Sequence, residues 1–570
     1  MATSVRRTSL TLPTAPLGPG DPLPALYPLD QAGPAAAGTL PALPVRAARE
    51  ARFAPPRSAL PERLRDGYGR RRAPVRHDAV VIENTRLRAV VLPGLGGRIH
   101  SLHHKPTGRE LLHAPAVLQP AHLAPHGAWY AGGLQWHTGT PGRTGLSCAP
   151  LHAARLPAPD GGEMVRLWEW DRLRDLPFQV DLWLPEGTDF LYVGVRVRNP
   201  HHDPAPVFWQ SRAAVPEAPG TRVLTPADGA WHAGGGRPRT RVPVPEWDGA
   251  DRSYPLRGEE PADYHYDPPA GERPWIAALD ASGTGLVQTS AGPCGGRGLA
   301  LWGAGPAGRR RQRWLAGPGA PGWAELWSQP APDPLGHVRL EPYEEVAWLE
   351  AYGPLSADPR TVHGGDWAAA RREVADRLEA AAPRAAVAEA YAAWRACADT
   401  EPKEQLATGS GWGALEVERG GHELPGTPFP PDTLGPEQEP WRRLLRTGAL
   451  PDWPAGPLPA DPGPSLVAPV WRDLLEAAPG TAAAEYHLGV AQWHAGDRAQ
   501  AERSWERSLR CAETPWALRC LAVADTVAGH PVRAAQRLLR AVGLLLPAGA
   551  LAAAGSGGPA SDGRAPATEA

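Results

Sequence analysis

The chain has 570 residues, which is too long for one hydrophobic core and predicts two or three domains. Its formal net charge is −2, so there is no electrostatic basis for binding nucleic acid or a membrane surface. The five cysteines show no CxxC or Cys/His spacing, and neither a disulfide framework nor a zinc site is predicted. The start of the chain lacks the apolar segment of a signal peptide, and the longest apolar run is too short for a membrane span. We therefore expect a cytoplasmic protein.

The first part of the chain is predicted to be rich in β-structure. Residues 1–78 are rich in Pro and Arg and are interpreted as an extended, wrapping segment, in which RRTSLTL is a candidate strand. Residues 79–360 contain short runs with alternating apolar and polar residues, such as VVIENTRLRAVVL and FQVDLWL, separated by Gly, Pro, Asn and Asp turns. Many strands with almost no helical stretch between them favour a large antiparallel sandwich or barrel. We interpret the basic stretch GPAGRRRQRW inside this region as a solvated loop.

The hydrophobic period changes near Asp366. The runs DWAAARREVADRLEAAA and RAAVAEAYAAWRACA fit amphipathic helices, which we assign to a helical connector over residues 361–400. Residues 401–464 are rich in Pro and Gly and are interpreted as a linker without a predicted element.

Helical patterning returns over residues 465–550. The run EYHLGVAQWHAGDRAQAERSWERSL combines a large and a small residue, a Gly-Asp turn, and a second small residue followed by an aromatic. Trp471 stands 34 positions before Trp505. This spacing resembles the tetratricopeptide repeat and predicts stacked helix pairs, with an ordinary helical bundle as the alternative. Residues 551–570 are predicted to be a disordered tail.

The stretch GAWYAGGLQWHTGTPGRT, residues 127–144, combines three aromatics, one His and one Gln with five glycines. Glycines allow tight turns and a close approach of ligand to backbone, and aromatics beside amides are typical of specific polar pockets. Trp136 lies between Gln135 and His137 in strand-like alternation, so it points opposite to both. If the polar pair faces a pocket, Trp136 faces the core and Trp129 is the better candidate to stack on a ligand.

Four motifs together resemble a known family: NTRLRAVVLPGLGGRIHSL, GAWYAGGLQWHTG, WEWDRLRDLPFQVDLWLP and AVPEAPGTRVLTPAD. They are similar to the bacterial family named domain of unknown function 5107, which is usually fused to tetratricopeptide repeats. Its β domain resembles the galactose mutarotase and aldose 1-epimerase superfamily. The resemblance covers about residues 1 to 375. It implies a multidomain β + α protein, in which a large antiparallel β-supersandwich is followed by an α-helical tetratricopeptide-like repeat domain, and it implies a carbohydrate ligand.

The resemblance also implies catalytic candidates, because epimerases of the superfamily use a His acid and a late-chain Glu base across the sugar ring. Glu325, in GWAELWSQ, and Glu350, in WLEAYG, are the late carboxylates. His137 and His152 are the candidate acids. Glu217, in AVPEAPG, is a third carboxylate that the family pattern keeps.

The sequence departs from the family pattern at its polar motifs. Gln135 stands where an acid is usual, and His137 where an Asn is usual. Gln210 and Arg212 occupy changed positions in FWQSRAAVPE, and Arg313 replaces an acid. Gln cannot ionise, so it cannot replace a catalytic carboxylate, although it can form hydrogen bonds with a sugar hydroxyl.

These residues support a carbohydrate-binding protein with a mono- or oligosaccharide ligand and a helical-repeat module for a protein or peptide partner. The alternative is a carbohydrate-active enzyme, either epimerase-like or a glycoside hydrolase, that uses Glu325 with a second acid/base group. A third interpretation is a scaffold whose β domain has lost its ligand. Arg98 could clamp a ligand or tie a hairpin. We expect no cofactor and no metal. The candidate ligand-binding side chains are Trp129, Gln135, His137, Arg98, His152, Gln210 and Arg212.

Overall fold

A computed structural model describes residues 3–27, 53, 58–234, 237–331, 336–454, 459 and 461–545. The chain divides into two compact units. The first comprises Met1–Asp21 and Pro28–Gln438, and the second comprises Pro22–Tyr27 and Glu439–Ala570. Large antiparallel sheets dominate the first unit and helices the second, which confirms the predicted fold class.

The strands of the described residues all belong to the first unit. In its first half they are β1 (Ser4–Thr14), β2 (Ala73–Glu83), β3 (Leu87–Leu92), β4 (Arg98–His104), β5 (Arg109–Glu110), β6 (Ala121–Ala124), β7 (Gly127–Trp129), β8 (Leu134–Thr138), β9 (His152–Pro157), β10 (Glu163–Asp171), β11 (Leu176–Trp183), β12 (Leu191–Arg198), β13 (Ala205–Val207) and β14 (Trp209–Glu217). They continue with β15 (Arg222–Leu224), β16 (Gly229–Gly234), β17 (Arg237–Pro243), β18 (Glu246–Trp247), β19 (Ala250–Asp251), β20 (Ala262–Tyr266), β21 (Trp275–Leu279), β22 (Thr284–Ala291), β23 (Gly296–Leu301), β24 (Gly322–Gln329), β25 (Val338–Leu340), β26 (Glu345–Ser356) and β27 (Glu404–Ala407).

Most of these strands form two sheets. In the described residues the larger has twelve strands, in the order β1-β2-β3-β4-β8-β14-β24-β23-β20-β16-β17, with β5 beside β4. The second has nine strands, in the order β15-β21-β22-β26-β12-β11-β10-β9-β27. The candidate strand RRTSLTL is confirmed as part of β1, which pairs with β2 along its whole length.

The hydrophobic core lies between the two sheets and contains side chains of both. Trp136 and Trp209, from the larger sheet, stack with ring centroids 6.4 Å apart. Trp209 also meets the edge of Trp348, from the second sheet, at 5.9 Å. Trp136 therefore faces the core, as the alternation predicts. Its neighbours Gln135 and His137 point to the opposite face of the larger sheet.

In the described residues, helices form late in the first unit and make up most of the second. They are α1 (Pro306–Ala316), α2 (Pro359–Val362), α3 (Trp367–Ala381), α4 (Arg384–Cys397), α5 (Trp412–Gly420), α6 (Glu439–Thr447), α7 (Pro469–Ala477), α8 (Ala482–Ala495), α9 (Arg498–Cys511), α10 (Pro515–Val527) and α11 (Pro531–Leu545).

The region between the predicted sandwich and the repeats belongs largely to the first unit. Helices α3 and α4 form where the periodicity predicts them, but they are not a connector, because they pack on the outer face of the second sheet. Residues 401–464, predicted to be a linker, contain β27, α5 and α6, and β27 pairs with β9. The buried Arg166, paired with Asp181 at 2.7 Å, holds this irregular chain by donating to the carbonyls of Thr400 and Gly426.

The basic stretch GPAGRRRQRW is a helix, α1, and not the loop that its composition suggests. Pro306 stands in the first turn, where its missing N–H costs no hydrogen bond. Gln312 and Leu315 are buried, while the four arginines of the stretch, at 309, 310, 311 and 313, are exposed. The helix is therefore held by one buried face, with its charges in solvent.

The second unit has the packing expected of tetratricopeptide-like helix pairs. Helices α8 and α9 are joined at Gly496, which has a φ of 94°, followed by Asp497. Gly489 on α8 must be small, because a Cβ there would lie 2.3 Å from the Trp505 ring on α9. Trp471 on α7 meets Trp441 on α6 edge to face at 5.5 Å. The predicted helical repeats are thus present, while the predicted disordered tail, residues 551–570, lies outside the described residues.

The second unit also includes a short segment from near the start of the chain, Pro22–Tyr27. Leu26 of this segment is buried, and the Trp493 indole donates a 2.7 Å hydrogen bond to its carbonyl. Arg519 donates to the carbonyl of Pro24, also at 2.7 Å. In the described part of the chain, no helix has the length and apolar character that a membrane crossing requires.

Candidate functional site

The register of the larger sheet gathers polar residues on the face that points away from the core, which we call the polar face. In the β8–β14 pair, His137 lies opposite Gln210, and Gln135 lies opposite Arg212. In the β14–β24 pair, Arg212 lies opposite Trp327. Directly paired residues point to the same face, so three neighbouring strands contribute side chains to one patch. Four residues named from the sequence are therefore brought together.

Glu325, on β24, lies at the centre of the polar face and is buried. Its Oε2 accepts hydrogen bonds from Arg143 at 2.8 Å and from Arg212 at 3.2 Å. Burial by itself would raise the pKa of Glu325, but the two guanidinium groups outweigh it and hold the pKa below its ordinary value. Glu325 is therefore an anion near neutral pH.

Arg143 lies between two tryptophan rings. Its guanidinium carbon is 4.8 Å from the ring centroid of Trp129 and 4.7 Å from that of Trp302. This is cation–π geometry, which is stronger where the pair is shielded from water. The ring of Trp129, the candidate to stack on a ligand, thus lies against Arg143 and against Trp302. Arg143 and Trp302 were not among the residues predicted from the sequence.

Arg212 is held from several sides. Its guanidinium lies 4.7 Å from the centroid of the Trp327 ring, and its Nε donates to Gln210 at 2.9 Å. Gln210 in turn donates to Gln329 at 2.8 Å. The Trp327 ring lies over Gly298 on the neighbouring strand, where a Cβ would be only 2.0 Å from the ring. The result is a fixed cation beside Glu325.

His137 is fully buried beside this ion cluster. Burial lowers its pKa well below the ordinary value, and the positive charges of Arg212, Arg143 and Arg98 lower it further, so the imidazole is neutral. The backbone N–H of Thr144 donates to His137 Nδ1 at 3.1 Å. A neutral imidazole has one acceptor and one donor nitrogen, so Nε2 is assigned the proton. That N–H group has no partner among the described residues.

Further buried polar atoms of this patch have no hydrogen-bond partner among the described residues. Such groups are rare in folded proteins and cost free energy unless a ligand or water satisfies them. His113, whose ring stacks on Trp323 at 4.7 Å, is one of them. The unpartnered atoms are Nε1 of Trp129, Trp302, Trp323 and Trp327, Nε2 of His113, Nε of Arg143, Oγ1 of Thr144, Oε1 of Gln135 and Oε1 of Glu325.

Arg98 shapes the loop before β8. It is fully buried, and its guanidinium donates to the carbonyls of Tyr130, Ala131 and Ser147 at 3.0 to 3.2 Å. Burial lowers its pKa to about 10. Of the two interpretations of Arg98, the structure favours the one in which it ties backbone together, because its donors are directed to carbonyls. Gln135 also donates to the carbonyl of Tyr130, at 3.0 Å.

Glu350, the other late carboxylate, lies on the opposite side of the larger sheet. It is fully buried between the sheets and accepts hydrogen bonds from Ser211, Trp348 and Tyr352. Ser211 and Arg212 are neighbours on β14 and point to opposite faces. Burial raises the pKa of Glu350. Glu350 therefore does not lie on the same face of the larger sheet as His137.

Three other residues named from the sequence also lie apart from Glu325. Glu217 is at the end of β14 beside α1, where burial raises its pKa to about 7 and Gln312 is its hydrogen-bond partner. His152 lies in the second sheet, stacked on Trp168 at 5.2 Å, with its pKa lowered to about 4 by burial. Arg313 is exposed on α1. In the described residues, no group of three or more His, Cys, Asp or Glu is arranged to hold a metal ion.

Comparisons with known proteins find one matching family and several similar structures. Residues 56–251 match the family described as "Domain of unknown function (DUF5107)". The crystal structure of a TPR-domain containing protein from Parabacteroides distasonis superposes with a TM-score of 0.64 at 17% identity, over 95% of this chain and 80% of that chain. Galactose mutarotase-like proteins from Clostridium acetobutylicum and Lactobacillus casei match with TM-scores of 0.35 and 0.34, at 12% and 10% identity. They cover 49% and 48% of this chain and 96% and 99% of theirs.

Proposed function

We propose that this chain, which combines a DUF5107 domain with C-terminal helical repeats, binds a carbohydrate on the polar face of its larger sheet. The observation that carries the proposal is the set of buried, unpartnered donors and acceptors around Glu325 and His137. A sugar offers a dense array of hydroxyl groups, each of which both donates and accepts hydrogen bonds. Such a ligand would satisfy indole N–H groups and carboxylate or amide oxygens together, and the tryptophan rings would pack on its C–H faces.

Binding is favoured over catalysis at this site by the states of its titratable groups. Glu325, the candidate base, is paired with two guanidinium groups that stabilise its anion and so reduce its basicity. His137, the candidate acid, is held neutral by burial and by the same arginines. A general base and acid need pKa values near the working pH, and both values here are displaced from it. Gln135 offers no replacement, because an amide does not ionise.

The position of Arg143 supports a route for the ligand. Its side chain is 20% exposed, while those of Glu325 and Arg212 are 2% and 5% exposed. Arg143 lies in the turn after β8, where Gly139 and Gly142 have φ values of 85° and 97°. Arg143 also contacts the Trp129 and Trp302 rings and the Glu325 carboxylate. We therefore assign to Arg143 the role of the residue that a sugar contacts first.

The test is a thermal-shift screen of the full-length protein against neutral and acidic mono- and oligosaccharides, because a ligand that binds the folded state raises Tm with its concentration. Trp302→Ala should abolish the shift, since it removes a ring and a donor from the site. Trp314→Ala is the matched control: its ring is 37% exposed on α1, outside the patch. No shift with any sugar would contradict the proposal. For any sugar that raises Tm, polarimetry measures whether the protein also accelerates the interconversion of its anomers, which distinguishes binding from mutarotation.

For the helical repeats we propose a peptide partner. The supporting observation is the segment Pro22–Tyr27, whose backbone carbonyls accept hydrogen bonds from Trp493 and Arg519 while Leu26 is buried. Main-chain carbonyls are common to all peptides, and the buried leucine supplies selectivity. The chain's own segment has a high effective concentration and would compete with a partner for this surface.

A labelled PLPALY peptide added to the full-length protein tests this second proposal. Leu26→Asp should release the internal segment and increase binding of the added peptide at least tenfold over wild type. Tyr27→Asp is the matched control, since Tyr27 is 54% exposed and its replacement leaves the segment in place. Circular dichroism checks that both variants keep their helices. Equal, weak binding by all three folded proteins would contradict the proposal.

A further inference from the structure

The polar face carries more positive than negative charge. Arg143 and Arg212 bring two charges to Glu325, which supplies one. His100 and His113 add none near neutral pH, because burial lowers the pKa of each to about 4. His137 is neutral for the same reason. The cluster thus has a surplus of one positive charge.

Two other charged residues lie near the cluster. Arg98 is a third buried cation and adds to the buried positive charge, although its donors are directed to backbone carbonyls. Asp263, on β20, contributes an attraction to Arg212. Its side chain is exposed, so water and salt screen its charge. The buried positive charge is therefore not neutralised by the protein itself.

The unpartnered atoms of the patch are also mainly donors. Four indole N–H groups, the His137 Nε2–H group and the Arg143 Nε–H group have no acceptor among the described residues. The unpartnered acceptors are one oxygen each of Gln135 and Glu325, while Nε2 of His113 and Oγ1 of Thr144 can donate or accept. A buried group of donors around a surplus cation is suited to an anionic ligand group, since charge-assisted hydrogen bonds are about twice as strong as neutral ones.

We propose that the ligand of the polar face is a sugar acid, in which a carboxylate meets Arg143 and the indole N–H groups while the ring hydroxyls meet the remaining polar atoms. This inference rests on the proposed carbohydrate binding and names the class of sugar. One carboxylate balances the net charge of the cluster formed by Arg143, Arg212 and Glu325, and the donors of Arg98 are already directed to backbone carbonyls.

Matched pairs of ligands test the inference on the full-length protein. Affinities for glucuronate and glucose, and for galacturonate and galactose, are measured by calorimetry at one ionic strength, with glucose 6-phosphate as a third member. Because each pair differs at a single carbon, the ratio of affinities reports the carboxylate. We expect at least one acid to bind tenfold or more tightly than its neutral partner, and the difference to shrink as salt is added.

Variants show which residues cause the preference for the acid over the neutral sugar. Arg143→Met should reduce the affinity for the acid more than that for the neutral sugar, while Arg313→Met removes an exposed arginine from α1 and should preserve the ratio. Glu325→Gln, if folded, should increase the ratio, because it raises the surplus to two charges. Equal affinity for acid and neutral sugar would overturn this inference and leave carbohydrate binding standing. Tighter binding of glucose 6-phosphate than of either acid would also overturn it, and no binding of any sugar would overturn both proposals.

Discussion

Replacing Glu325 by Gln is expected to destabilise the first unit strongly. The substitution preserves size but removes the anion that two guanidinium groups share at 2.8 and 3.2 Å. Breaking a buried ion pair by removing one partner costs about 3 to 5 kcal/mol, because the remaining charge is left uncompensated. Arg143 is 20% exposed and can turn toward water, whereas Arg212 is 5% exposed and cannot. We therefore expect a loss near the lower limit, about 3 kcal/mol.

The assay is urea unfolding at pH 7, followed by circular dichroism in the near ultraviolet and at 222 nm. Glu217→Gln is the matched control: the pKa of Glu217 is about 7, so a neutral amide resembles a state that the wild type already populates. Its effect should stay below about 0.5 kcal/mol.

A double variant identifies the cause of the loss. Arg212→Met in the Glu325→Gln background removes the stranded cation and should recover part of the stability. If Glu325→Gln costs no more than the control, or if the second substitution adds to the loss, the ion cluster is not the buried, fixed arrangement described above.

The remaining predictions concern the pH dependence of stability, backbone packing and thiol reactivity. In the folded protein the pKa values of His100 and His113 are about 4, below the usual 6.5. Between these two pH values only the unfolded chain binds their protons, so acid favours unfolding. The free energy of unfolding should therefore fall by about 1.4 kcal/mol per histidine for each pH unit below 6.5, as urea unfolding from pH 7 to 5 would measure. Gly298→Ala should cost about 1 to 3 kcal/mol, because its Cβ would overlap a tryptophan ring, whereas Gly295→Ala meets open space and should be neutral in the same assay. Cys511, which is exposed, should react first with a thiol reagent, as mass mapping of the labelled peptides would show.

The periodic parts of the structure could be predicted from the sequence. Alternation in β8 placed Trp136 in the core and Gln135 and His137 on the other face, because side-chain direction in a strand follows a period of two. The pairing of Gly489 with Trp505 is likewise visible in the repeat, as one helix supplies a small residue where the next supplies a ring. These features depend on local geometry, which the sequence specifies directly.

Parts without periodicity were interpreted incorrectly. Composition made GPAGRRRQRW look like a loop, although its buried positions, Gln312 and Leu315, are spaced as in a helix. Residues 401–464 were interpreted as a linker, because the contacts that hold their elements in place are made with residues far away in the sequence. Arg166, more than two hundred positions earlier, holds part of this segment through backbone carbonyls. Carbonyls are present in every residue, so no sequence pattern marks such contacts.

The candidate site also contains residues that could be predicted from the sequence and residues that could not. Glu325 and the residues of β8 and β14 could be named from motifs, because paired strands bring them onto one face. Arg143 could not, since its partners Trp129, Trp302 and Glu325 meet it only after the turn following β8 folds over the sheet. The position of a side chain in such a turn depends on contacts with residues far away in the sequence, and a local sequence pattern does not show these contacts.

The side chains of the polar face bear on both proposals. Gln135 carries an amide, which does not ionise, and Arg212 is a buried cation that is paired with Glu325 at 3.2 Å. Neither residue supplies the second titratable group that acid–base catalysis needs, while Arg212 adds to the buried positive charge. The same two residues that weaken the proposal of catalysis therefore support the proposal of an anionic ligand.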